Sequence, residues 1–291
     1  MLLDLSIRFP KLGIELNDVG TGIDIFGFQI AYYGMIIAFG MLMGYLIAEW
    51  QARRTGQDKD LILDFALYAI IISVIGARIY YVAFAWDEFK DDWLTVFNLR
   101  GGGLAIYGAV IAAILTAIVY SKIKKISFWL LADTACAGLL AGQIIGRWGN
   151  FFNREAFGGF TDNIFAMQLR KSDVAPSNIT QDILNHVIEI DGAQFIQVHP
   201  TFLYESLWNL LILIIILLYT KHKKFDGELI LMYFVGYGLG RAWIEGLRTD
   251  QLLLLGTNLA VSQLLSILLV VVSLIVIIIK RRTNVRPKNV F

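Results

Sequence analysis

The chain has 291 residues, 57% of them hydrophobic and 17% charged, with a mean hydropathy of +0.64, a balance that excludes an ordinary soluble domain of this length. Its formal net charge of +1 gives no sign of a nucleic-acid surface, and the single cysteine, Cys136, excludes an internal disulfide and any cysteine-based metal cluster. The sequence reads as an integral membrane protein, with Cys136 a small packing residue inside an apolar helix.

In chain order, the N-terminal MLLDLSIRFP lacks the basic start and apolar core of a cleavable signal, so the first membrane helix is expected to serve as the insertion signal. Seven apolar stretches follow, at 30–48, 62–86, 104–121, 129–146, 203–219, 227–243 and 258–279, each close to the ~20 residues a bilayer crossing needs. They predict an all-α polytopic membrane protein of about seven transmembrane helices. No repeat of solenoid length and no linker divides the chain, so a single integral membrane domain over 1–291 is expected.

The connections 51–60, 122–128 and 220–226 each carry three Lys or Arg, and the tail from 280 carries five. The positive-inside rule places all four in the cytoplasm, which leaves the N-terminus, 87–103 and 147–202 outside. Within the longest connection, VIEIDGAQFIQV alternates apolar and polar residues around Asp191-Gly192. That pattern predicts a hairpin, and with it a small extracytoplasmic cap over 147–202.

Polar residues gather at the outer ends of the spans. Glycine–arginine pairs stand there in the second, fourth and sixth: GAR at 76–78, GQIIGR at 142–147 and GYGLGR at 236–241. A single arginine at that level reads equally as a snorkelling anchor. Three of them, Arg78, Arg147 and Arg241, none replaced by lysine, point instead to an anion held through paired hydrogen bonds. The triple glycine 101–103 before the third span and HPTFLYE (199–205) before the fifth mark the same level, where helix N-termini expose amides to an anion. Glu155, Glu205 and Glu245 lie there too, and their first role is to neutralise the arginines.

His199 is the one histidine near this cluster and reads as structural. No HExxH and no GxSxG is present, so neither a metal nor a serine nucleophile is indicated, and no cofactor is expected. The residues describe a basic site just inside the outer face, and the phosphate most available to it is a phospholipid headgroup. A lipid transporter or flippase is the main alternative, although its polar path would cross the midplane rather than gather on one side. A seven-helix receptor is another, without the retinal version, because the last span has no lysine for a Schiff base.

These motifs resemble the bacterial prolipoprotein diacylglyceryl transferases. The family signature GRxGNFxNxE is complete as Gly146, Arg147, Gly149, Asn150, Phe151, Asn153 and Glu155. HPTFLYE matches the family's HPxxLYE through His199, Tyr204 and Glu205, GYGLGRAWIEGLR matches a later block through Arg241, Glu245 and Arg248, and AYYG matches a first-helix motif through Tyr33. The resemblance implies seven helices in the bacterial cytoplasmic membrane. It also implies transfer of a diacylglyceryl group from phosphatidylglycerol to the lipobox cysteine of a preprolipoprotein. Arg147 and Arg241 then fall on the essential arginines, while Tyr33, Asn150, Asn153, Glu155, His199, Tyr204, Glu205, Glu245 and Arg248 are carried as substrate-binding positions, to which the glycine–arginine pattern adds Arg78. Where many members have a histidine before the third helix, this chain reads LAIYG, so Tyr107 stands as a positioning or proton-relay group.

Overall fold

A computed structural model describes residues 5–90, 92–98, 102–254 and 259–284. It divides into two compact units, one over Tyr45–Cys136 and the other over Met1–Gly44 with Ala137–Phe291. Every predicted span forms a helix with ends displaced by a few residues. These are α1 (Tyr32–Arg54), α2 (Lys59–Phe84), α3 (Ile106–Lys124), α4 (Phe128–Asn153), α6 (Thr201–Tyr219), α7 (Glu228–Glu245) and α8 (Val261–Asn284), with a single-turn α5 (Gln181–Leu184) between α4 and α6.

Among the described residues, six helices are long and apolar enough to cross a membrane, rather than the seven expected. The exception is α7, which places Glu228, Arg241 and Glu245 within 18 residues. Charges at such density need partners, and α7 finds them in α6 and α8: Arg241 pairs with Glu205, and Glu228, fully buried, accepts a 2.6 Å bond from Arg281 Nε.

The fold is mostly helical as expected, and its strands form two small sheets. One is five-stranded and antiparallel, in the order β2 (Ile14–Asn17), β1 (Leu5–Phe9), β5 (Met167–Arg170), β7 (Ala193–Val198), β6 (Ile188–Ile190). The other is a separate two-stranded ribbon of β3 (Gly22–Ile25) and β4 (Phe28–Ala31). The predicted hairpin is present: Ile190 pairs with Ala193, and Asp191 and Gly192 take φ of 49° and 79°, the left-handed pair that a type I′ turn demands.

The cap reaches beyond 147–202, since β1 and β2 come from the N-terminus. Its core packs Ile7, Leu169, Ile183, Ile196 and Val198 against Phe151 from the end of α4 and Phe202 from the start of α6. The Phe151 and Phe202 rings stand 5.0 Å apart, and Trp148 closes on Phe202 at 5.2 Å. One apolar core thus continues from the sheet into the helix ends, so the cap has a fixed seat.

In the other unit, α2 and α3 meet backbone to backbone. A Cβ on Gly76 would lie 2.9 Å from the Gly108 carbonyl oxygen, so no larger residue fits at that crossing. Tyr120 closes the far end, its hydroxyl donating to the Leu61 carbonyl at 2.8 Å. The opposite face of α2 is open: Leu67, Ile71, Ile75 and Ile79, four residues apart, are each more than half exposed, as a lipid-facing stripe requires. Replacing Gly108 with leucine is expected to lower stability by ~1–3 kcal/mol or more, because the backbones must separate. The thermal midpoint in detergent measures it, and an unchanged midpoint would refute the close crossing.

Candidate active site

The motif GRWGNFFNRE lies mostly within α4. Residues 147–153 form its last two turns, and the helix stops where Arg154 takes φ +52°, a left-handed C-terminal cap. The connection expected to start at 147 therefore starts at 154. Helical spacing sets Arg147 and Asn150 on one face, a turn apart. Gly149 lies against Tyr33 of α1, where a Cβ would approach the ring to 2.7 Å, so glycine is what admits the aromatic ring.

Five of the predicted residues join in one chain of ion pairs. Arg147 Nη2 lies 2.7 Å from Glu205 Oε2, and Arg241 Nη1 donates to the other oxygen of the same carboxylate at 3.1 Å. Arg241 Nη2 then meets Glu245 Oε2 at 2.6 Å, and Arg248 Nε lies 4.0 Å from that oxygen. Asp250 ends the series, accepting from Arg248 Nε and Nη2 at 2.8 and 2.7 Å. Burial opposes ionisation of Asp250, but the hydrogen bonds and charge of Arg248 outweigh it and hold the carboxyl below its ordinary value. Three arginines face three carboxylates, so the series is formally neutral.

Two smaller groups flank the series. Asn150 and Asn153 both donate side-chain amides to Glu155 Oε1, at 2.9 and 3.2 Å, which ties the end of α4 to the turn after it. At the start of α6, His199 Nδ1 lies 3.3 Å from the Tyr204 hydroxyl, which also accepts from Asn163 Nδ2 at 2.9 Å. Burial pushes the His199 imidazole below its ordinary value, so it is neutral at pH 7 and takes no part in the charge balance.

Arg78 and Tyr107 belong to the other unit. All five N–H groups of Arg78 are engaged there by backbone carbonyls: Nε by Val96, Nη1 by Gly102 and Gly103, Nη2 by Thr95 and Asn98. The guanidinium ties 95–98 to 102–103 and has no donor left for a phosphate. Gly101 of the triple glycine lies outside the described residues. Tyr107, in the first turn of α3, is 47% exposed, and its hydroxyl makes no hydrogen bond among the described residues.

The contrast with Arg147 is chemical. Arg147 has five N–H groups like any arginine, yet only one faces Glu205, and the other four make no hydrogen bond among the described residues. Its side chain is 21% exposed, whereas that of Glu205 is 4% exposed. A fixed, partly accessible fork of unused donors suits the planar, two-pronged hydrogen bonding of a phosphate.

Three residues of this region were not singled out from sequence. Asp250 and Asn163 carry no motif. Arg154 does lie in GRWGNFFNRE, but it is 6% exposed and turns into the cap, donating to the Val19 and Phe152 carbonyls.

Fold and site together define a polytopic membrane protein with a series of arginine–carboxylate pairs where the helix ends meet a small cap. Comparison with known proteins agrees: the family model for prolipoprotein diacylglyceryl transferase matches residues 21–279. Relatives named phosphatidylglycerol–prolipoprotein diacylglyceryl transferase occur in Listeria monocytogenes serotype 4a (46% identity over 267 residues, 92% of this chain and 91% of the relative) and in Bacillus cytotoxicus (43% over 289 residues, 99% and 98%). Another, from Oceanobacillus iheyensis, is 43% identical over 264 residues, 90% of this chain and 88% of its own. The chain belongs to the prolipoprotein diacylglyceryl transferase family.

The donor count separates two arginines that share one motif. Arg78→Lys is expected to cost ~3 kcal/mol or more, because charged hydrogen bonds from a buried guanidinium are lost, and to open the chain around 95–98 to limited proteolysis. Arg147→Lys should leave both the thermal midpoint and the cleavage pattern nearly unchanged. Equal effects on stability would remove the distinction.

Proposed function

We propose that this chain carries out the transfer for which its relatives are named. The diacylglyceryl group of phosphatidylglycerol moves to the lipobox cysteine thiol of a preprolipoprotein, the first step of bacterial lipoprotein maturation. The observation that carries the reading is the set of unused donors on Arg147, held beside Arg241 by a shared carboxylate. Phosphate oxygens would take these donors from the lipid side, and Arg241 Nε would add another. The sulfur attacks the glyceryl carbon, a C–S bond forms, and the C–O bond to phosphate breaks. The electron pair leaves on the phosphate oxygen, which the guanidinium groups stabilise as charge develops, and glycerol phosphate departs.

A thiol ionises at ~8.5 in water and lower beside cations, so arginine electrostatics can supply thiolate without a strong base. We assign Tyr107 to positioning or relaying the thiol proton, on the strength of its place in the family pattern. Tyr33, Asn150, Asn153, Glu155, His199, Tyr204, Glu205, Glu245 and Arg248 shape and hold the site. The chemistry assigned to these residues calls on no metal or organic cofactor.

The basic connections support a cytoplasmic C-terminus, with the N-terminus, the cap and the site at the outer leaflet of the bacterial cytoplasmic membrane. Membrane-impermeant thiol labelling of whole cells should reach a cysteine placed at Ser177 and not one at Lys124. The reverse would invert the orientation.

Purified protein incubated with phosphatidylglycerol and a lipobox peptide should add one diacylglyceryl mass to the peptide thiol. Arg147→Lys should lose ~1.5–3 kcal/mol of transition-state stabilisation, roughly one to two orders of magnitude in rate. Tyr107→Phe should slow transfer only moderately. A folded Tyr107→Phe variant as inactive as Arg147→Ala would make Tyr107 an obligatory base instead.

A further inference from the structure

The β3–β4 ribbon is anomalous as a piece of protein. Its register pairs Ile23 with Ile30, Ile25 with Phe28 and Asp24 with Gln29. Cross-strand partners share a face, so Ile23, Ile25, Phe28 and Ile30 form an apolar face and Asp24 with Gln29 a polar one. A two-stranded ribbon is marginal on its own and needs its apolar face covered. Here that face is open: Ile23, Ile25 and Phe28 are 41%, 46% and 52% exposed.

The turn repeats the anomaly. Phe26 and Gly27 take φ of 53° and 78°, a left-handed pair in which asparagine and glycine are at ease and a bulky aromatic is not. The turn is closed by the Gly27 amide donating to Asp24 Oδ1 at 2.8 Å, yet the Phe26 ring is entirely exposed. A strained residue that holds out a bare aromatic ring serves something outside the chain.

Position identifies what that is. β4 ends at Ala31 and α1 begins at Tyr32, whose amide donates to the Thr21 carbonyl at 2.9 Å, so the ribbon is tied to the mouth of a membrane-crossing helix. The exposed apolar surface runs on along α1 through Met35, Phe39 and Leu42. We propose that the β3–β4 ribbon lies in the bilayer surface at the leaflet where α1 begins, its Ile23/Ile25/Phe28/Ile30 face on the acyl chains and Phe26 inserted at its tip. The ribbon then fixes the depth of the first turn of α1, and with it Tyr33 against Gly149. None of this depends on the transfer reaction.

Spin labels test it directly. In a Cys136→Ala background, single labels at Ile25→Cys, Phe26→Cys and Gln29→Cys are read in vesicles of phosphatidylethanolamine and phosphatidylglycerol, by collision with oxygen, which concentrates in lipid, and with an aqueous nickel chelate. The oxygen-to-nickel ratio should be several-fold higher at 25 and 26 than at 29. A label at 25 should move toward nickel in the Phe26→Asn variant, which suits the turn better and keeps the ribbon paired. Nickel access at all three positions would overturn the proposal in favour of a solvated ribbon. Dipolar broadening at 26 would overturn it in favour of a second copy of the chain, and equal ratios on the two faces would remove the amphipathic placement.

Discussion

Everything at the candidate site depends on one carboxylate shared by two guanidinium groups. Arg147 and Arg241 stand on different helices among apolar neighbours, where two unpaired cations would repel by several kcal/mol and each would carry its own desolvation penalty. Glu205, projecting from a third helix and nearly inaccessible, bridges them and joins α4, α6 and α7 at one level. Glu245 and Asp250 continue the alternation of sign through Arg248. The same requirement explains why α7 is a helix of this membrane protein although its composition alone is too charged for a crossing.

Neutrality has a functional consequence. A cluster with a large positive charge would attract any anion and hold its product as firmly as its substrate. This series has no net charge, but the N–H groups of Arg147 turned away from Glu205 keep a local positive edge, so in the proposed reading a phosphate or thiolate would meet that edge and the geometry of its donors rather than a diffuse positive field. That is a requirement for a planar fork, which a lysine does not meet. The cap adds rigidity: Phe151 and Phe202 belong at once to its core and to the helices that carry Arg147 and Glu205, so the donors are set by packing as well as by charge.

Much of this was legible in the sequence, for reasons that also mark where legibility ends. Long apolar runs gave all seven long helices, and Asp191-Gly192 gave its hairpin, because both signals are local. GRWGNFFNRE identified the region but not its helicity: glycine and asparagines favour a loop, and Phe151 packing in the cap overrides them. Arg78 and Arg147 share one glycine–arginine signature yet differ in task, since only the fold brings the carbonyls of Thr95, Val96, Asn98, Gly102 and Gly103 around Arg78. Asp250 and Asn163 were missed because their partners are set by tertiary structure rather than by spacing. The strands at 5–17 went unseen for a further reason, that five and four residues carry little periodicity.

The central claim is that Arg147, fixed by Glu205, is the principal phosphate ligand. A structure with phosphatidylglycerol bound in a lipid nanodisc tests it most directly. The account predicts phosphate oxygens at charge-assisted hydrogen-bond distance, ~2.7–2.9 Å, from Arg147, with Glu205 still bridging to Arg241. A phosphate lodged elsewhere, with the free N–H groups of Arg147 still unoccupied, would contradict it.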